Sequence, residues 1–309
     1  MIQSFIGLIL SLVILIWSCE YAIKNSILVS KIFQIREIFV GIFIIAIGTS
    51  LPEFAATFQA LQIGAEGIVA GNLVGSNIAN ILLVGGIMVF PLISLNIVKQ
   101  DQSTAIFFIS FSILFFFLIF FNFTLGLKFS LLFILLLILF FYFELKKPSE
   151  EDPISIENSQ NSTIIIISKI IIAFIVLFFS SRFFITYAKN LTELLGVAES
   201  TIGITVVAFG TSLPEVVATI IAIVKKQNNL AVVNILGSNI ANIFGITLIA
   251  IFMNGQINYY ELLSSIDKWL FLLVSIVFFI MIIKKMAGKL LSIGLIFAYL
   301  AYFTYLYIY

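Results

Sequence analysis

The sequence contains no histidine and a single cysteine, Cys19. No disulfide can close within the chain, and the His/Cys ligand sets that hold zinc, copper or iron are excluded. A metal bound here must be held by oxygen, which selects hard cations. Without histidine the HExxH signature of a zinc protease cannot be written, and no aspartate stands mid-span to serve an intramembrane protease. No catalytic residue and no cofactor are expected. Charge is scarce too. Asp, Glu, Lys and Arg make up 10% of the 309 residues, against about a quarter in a soluble domain. The net charge of +1 gives no reason to expect a nucleic-acid partner, and no protein partner is inferred.

Apolar residues take up the difference, at 62% of the chain with a mean hydropathy of +1.22. Such a chain lacks the polar surface needed to face water, so its partner is a lipid bilayer. The pattern predicts an all-α membrane protein of ten transmembrane helices, near 3–23, 38–60, 68–94, 104–121, 125–144, 164–188, 201–224, 230–253, 268–284 and 289–307. The first apolar stretch lacks a basic flank and a small-residue cleavage site and reads as a retained helix. The Phe-rich fourth and fifth spans read as lipid-facing bulk. Between them and the sixth span lies a polar stretch, 146–163, with Pro148, Glu150, Glu151, Asp152 and Pro153. It reads as a solvated linker between a first five-helix unit, 1–145, and a second, 164–309.

Lysine and arginine concentrate in loops after odd-numbered spans, as at Lys24, Lys31, Arg36, Lys146, Lys225 and Lys284. Only Lys128, Arg182, Lys189 and Lys268 fall on the other side. Basic loops stay in the cytoplasm, so in a multi-pass cell-membrane protein the linker is expected inside and both termini outside. Tyr299, Tyr302, Tyr305, Tyr307 and Tyr309 are expected to anchor the last helix at the outer interface.

An internal repeat carries more information than any of these patterns. Residues 41–53 read GIFIIAIGTSLPE and residues 203–215 read GITVVAFGTSLPE. Residues 75–81 and 237–243 both read GSNIANI. Both matches share an offset of 162 residues. Five spans separate the copies, and an odd number reverses their direction through the membrane. Two inverted repeats with matched motifs form the plan of a secondary transporter, whose site lies at the repeat interface. A channel would call for a continuous pore around an axis, which an internal inverted repeat does not supply.

Glu53 and Glu215 stand mid-span, where a charge costs about 2.5–3.5 kcal/mol on insertion scales. Each follows a proline, Pro52 or Pro214, which removes an N–H and opens the backbone near Gly48 and Gly210. Freed carbonyls at that depth must line protein or a wet cavity, where they are good ligands for Na+ and Ca2+. Thr and Ser of GTSLPE add hydroxyls. Ser76 and Asn80 share a helix face, as do Ser238 and Asn242, and are suited to complete an oxygen shell. Asn72 and Asn234, one turn earlier, are expected to support rather than bind. Gly75 and Gly237 are expected to allow close helix approach. Two carboxylates balance one Ca2+ or two Na+, and the oxygens at hand exceed the about six to eight that Ca2+ takes.

In these four motifs the chain resembles the sodium/calcium exchanger family of the calcium/cation antiporters, in its compact prokaryotic form. The resemblance implies ten helices, a core of the second, third, seventh and eighth, and alternating access by movement of the first and sixth. It implies transport of Na+ and Ca2+. It places ion ligands on the Ala46 carbonyl, Thr49, Ser50, Glu53, Ser76 and Asn80, and on the Ala208 carbonyl, Thr211, Ser212, Glu215, Ser238 and Asn242. Here it differs from the proline argument, which points to Gly48 and Gly210. Asn242 stands where some relatives carry aspartate, so a third negative charge is missing. A Ca2+/H+ exchanger on the same fold is the nearest alternative. The neutral oxygens beside each glutamate favour Na+, because a proton needs no shell.

Overall fold

The computed structural model describes residues 2–33, 35, 37–92, 102–146, 160–194 and 208–308. They form α1 (Ile2–Phe33), α2 (Gly41–Thr49), α3 (Leu51–Gln62), α4 (Glu66–Val89), α5 (Gln102–Phe120) and α6 (Leu127–Leu145). After the linker come α7 (Gln160–Leu194), α8 (Ala208–Thr211), α9 (Leu213–Val224), α10 (Asn228–Asn254), α11 (Ser265–Ile283) and α12 (Lys289–Ile308). Among the described residues, eight helices are long and apolar enough to cross a membrane, and the bent pair α2–α3 makes a ninth. This is a multi-pass helical membrane protein. The seventh expected span, 201–224, begins outside the described residues, and so does most of the linker.

Hydropathy located the helices but not their ends. α1 runs ten residues past the expected boundary at residue 23. Glu20, Lys24 and Asn25 lower the hydropathy without breaking the backbone ladder, and Asn25 Nδ2 donates to the Tyr21 carbonyl at 2.7 Å within the helix. α7 is longer than expected as well, and the two pack along each other. α4 stops at Val89, two residues before Pro91, which cannot continue a helix. α11 opens on a capping box in which Ser264 and Asp267 bond each other's backbone N–H.

Two expectations about aromatic residues are corrected in part. Most of α6 is exposed as expected, with Leu131, Leu135, Ile138 and Phe143 facing outward, but Phe108, Phe111 and Phe115 of α5 are buried, as are Phe133 and Phe140 of α6. Phe108 meets Phe278 edge-on at 6.3 Å, Phe115 meets Phe271 at 5.9 Å, and Phe111 lies 4.2 Å from Phe244. Both faces of α5 are apolar, so sequence could not separate the face turned to protein from the lipid face. Between helices in lipid it is dispersion and ring geometry that hold the contact. The second correction concerns Tyr299 and Tyr302, which are buried rather than displayed at the interface, while Tyr305 is half-buried and the side chains of Tyr307 and Tyr309 lie outside the described residues. Tyr302 donates its hydroxyl to Asp267 Oδ1 at 2.9 Å.

Two short strands, β1 (Leu125–Gly126) and β2 (Gln256–Ile257), pair antiparallel and clip the turn before α6 to the turn after α10. Helices α2, α3, α9, α4 and α10 form the centre. Gly237 of α10 faces α2 so closely that an added Cβ would lie 2.6 Å from Ala46 Cβ and 3.0 Å from Ile42 Cα. Gly237 therefore does allow the close approach expected of it. For Gly75, the described residues place nothing within 4 Å of an added Cβ.

Candidate cation site

The repeated GTSLPE segments break their helices at the same point. Ser50 has φ −82°, ψ 4° and Ser212 has φ −84°, ψ 5°, in the bridge region between helix and strand. The axis bends by 49° between α2 and α3. Pro52 and Pro214 sit in the first turn of the helix that follows, where their missing N–H costs nothing. Each glutamate thus lies in the first turn of a new helix deep in the protein, and both are fully buried. The positive end of a helix dipole lies beside each.

Hydrogen bonds then join the two halves. Ser50 Oγ donates to Glu215 Oε1 at 3.3 Å. Thr49 Oγ1 lies 3.3 Å from Ser238 Oγ, and both hydroxyls donate to the Ala46 carbonyl, at 3.1 and 3.5 Å. Ala46, Thr49, Ser50, Glu215 and Ser238 therefore form one cluster. The Ser50 N–H donates to the Ala46 carbonyl at 3.1 Å as well as toward the Gly48 carbonyl that the proline argument favoured. In the first half the polar contacts converge instead on Ala46. Asn80 joins from α4 by donating Nδ2 to Asn239 Oδ1 at 3.2 Å. Ser76 and Thr211 line a common cavity of about 410 Å³ that continues past Asp267 and Tyr302. Ala208 opens α8, and its side chain lies outside the described residues.

Several buried polar atoms have no hydrogen-bond partner among the described residues. At the site they include both Glu53 oxygens, Glu215 Oε2, Ser212 Oγ, Asn80 Oδ1 and Asn242 Oδ1, together with the amide nitrogens of Asn239 and Asn242. Leaving one buried polar atom unsatisfied costs about 1–3 kcal/mol, more for a charged one, and a buried carboxylate without a counter-charge costs several. A set dominated by oxygen, with two carboxylates among neutral donors, is suited to a hard cation.

The asparagines add a feature hydropathy does not show. π-helical turns start at Asn80 (Asn80–Val84) and at Asn242 (Asn242–Ile246), and such turns cluster at functional sites. Asn72 Nδ2 donates to the Glu53 carbonyl and to Thr57 Oγ1, each at 2.9 Å. Asn234 Nδ2 does the same to the Glu215 carbonyl at 3.3 Å and to Thr219 Oγ1 at 3.2 Å. Thr57, Thr219 and Asn239 were not singled out from sequence. The repeat offset was the signal available, since it relates Thr57 to Thr219 and Asn77 to Asn239.

These features define a multi-pass membrane protein with a buried, oxygen-lined, doubly acidic centre of the kind that carries cations. The chain matches the family model "Sodium/calcium exchanger protein" over residues 3–146 and 165–308, and it belongs to that family of cation antiporters. The sodium/calcium exchanger MaX1 of Methanosarcina acetivorans is 28% identical over 285 residues, covering 78% of this chain and 80% of that one. The uncharacterized membrane protein MJ0091 of Methanocaldococcus jannaschii is 30% identical over 241 residues, covering 77% and 78%. Among solved structures, the sodium-calcium exchanger NCX_Mj soaked with 10 mM Na+ and zero Ca2+ has the same fold. The TM-score is 0.84 at 24% identity, with 97% of each chain covered.

Proposed function

We propose that this antiporter exchanges Na+ for Ca2+ by alternating access at one site between two inverted halves, 1–145 and 164–309, joined by the linker 146–163. Ala46, Thr49, Ser50, Glu53, Ser76 and Asn80 supply one half of the site. Ala208, Thr211, Ser212, Glu215, Ser238 and Asn242 supply the other. The observation that carries this reading is the group of carboxylate and amide oxygens at Glu53, Glu215, Asn80 and Asn242 that have no partner among the described residues and are buried beside the Ala46–Thr49–Ser50–Ser238 cluster. Two negative charges suit one Ca2+. The neutral oxygens around them let Na+ occupy overlapping positions, so that binding of one ion excludes the other. The name MaX1 carries as a Na+/Ca2+ exchanger supports the same cargo here.

The test is Ca2+ uptake by purified protein in liposomes. Uptake should follow an outward Na+ gradient and persist when a pH gradient is collapsed. Uptake that follows the pH gradient instead, with no response to Na+, would make the protein a Ca2+/H+ exchanger.

A further inference from the structure

The two asparagines one turn before the serines do more than pack. We propose that Asn72 and Asn234 are positioning residues that polarise the ion site. Each nitrogen pins the main chain at a glutamate, and each oxygen draws a hydroxyl proton away from the cation's position. This inference rests on the reading that the site takes the exchanged cation.

A side-chain amide has two donor hydrogens and one acceptor oxygen. For both residues the donors go to the glutamate carbonyl and to the threonine one turn beyond it, Thr57 or Thr219. Those bonds span two helices, α3 to α4 and α9 to α10, and hold the glutamate-bearing turn against its neighbour just after the break at Ser50 or Ser212. A carboxylate just after a break in its helix depends on such contacts for its position, and a mispositioned ligand weakens cation binding.

The oxygens act on the hydroxyl ligands. A hydroxyl carries one hydrogen and two lone pairs, and it coordinates a cation only when the hydrogen points elsewhere. Asn72 Oδ1 accepts from Ser76 Oγ at 3.2 Å, which leaves the Ser76 lone pairs free. Asn234 Oδ1 accepts from Thr49 Oγ1 at 3.4 Å. Thr49 has a second acceptor, the Ala46 carbonyl at 3.1 Å. A cation drawing on that carbonyl would displace the proton, and Asn234 Oδ1 lies in place to receive it. The Ala46 carbonyl and the Thr49 lone pairs would then face the ion together. The two halves are alike in how the nitrogens are used and differ in the hydroxyl served: Asn72 serves its own helix, whereas Asn234 reaches across to the other half.

The test is a double-mutant cycle in apparent Ca2+ affinity, measured by titration of the purified protein, for wild type, Thr49→Ala, Asn234→Leu and the double variant. Each single change should weaken Ca2+ binding about tenfold, the size of one hydrogen bond to a charged site. If Asn234 acts in part through the Thr49 hydroxyl, the double variant should lose clearly less than the product of the two single losses, because without that hydroxyl only the pinning role of Asn234 remains to be removed. A loss of about a hundredfold, the product of two independent effects, would overturn the proposal. The cycle of Asn72→Leu with Ser76→Ala is read in the same way. Should the leucine variants not fold, Thr57→Val and Thr219→Val keep side-chain shape and remove one of the two acceptors of each amide. A several-fold loss of affinity then supports the role, and wild-type affinity overturns it. Wild-type protein that binds Ca2+ in the titration but shows no Na+-driven flux would overturn the functional reading alone. Wild-type protein that binds no cation would overturn both.

Discussion

Glu53 and Glu215 are buried carboxyl groups whose free oxygens meet no partner among the described residues, so each residue is expected to be essential to cargo binding. Glu53→Gln and Glu215→Gln keep the shape and remove one charge. Breaking the pairing of a buried charge costs about 3–5 kcal/mol, so each variant should lower Ca2+ transport in liposomes by at least about a hundredfold. Near-normal uptake by either would remove that residue from the site. These two were legible in the sequence because a carboxylate in an apolar span is conspicuous and the repeat doubles it. The bonds of Asn72 and Asn234 were not, because an amide in an apolar helix reads alike whether it faces a carbonyl or a neighbouring side chain. The roles of Ala46 and Gly48 also needed coordinates: proline shows which N–H is missing, not where the freed carbonyl points.

Among the helices, the centre depends on how near α10 can come to α2. An added methyl on Gly237 would sit 2.6 Å from Ala46 Cβ, and overpacking of this kind costs about 1–3 kcal/mol. Gly237→Ala should therefore lower the melting temperature in detergent and reduce transport by moving Thr49 away from Ser238. Adding Ala46→Gly removes the nearest clashing atom and should recover part of both, the remainder being held back by Ile42 Cα at 3.0 Å. If the second substitution brings no recovery, this contact does not set the helix spacing. Apolar length and proline placed these helices in the sequence within a few residues, except where α1 and α7 run on together past their hydrophobic stretches. The buried phenylalanines of α5 were misread because an all-apolar helix carries no sign of which side meets protein.

At the scale of the whole molecule, the charge bias and the odd number of spans between the motifs predict opposite sides for the linker and the β1–β2 clip. Single cysteines at Ser155 and Gln256, each in a Cys19→Ser background, would report this. In intact cells an impermeant thiol reagent should label Gln256→Cys and spare Ser155→Cys, and the reverse pattern would invert the proposed orientation. The central claim is that both halves contribute to one site that Ca2+ and Na+ take in turn. Equilibrium binding of radioactive Ca2+ to the purified wild type tests it most directly. The account predicts one Ca2+ per chain, displaced fully by Na+ and lost in Glu53→Gln as well as in Glu215→Gln. Two Ca2+ per chain, or a bound Ca2+ that Na+ does not displace, would contradict it.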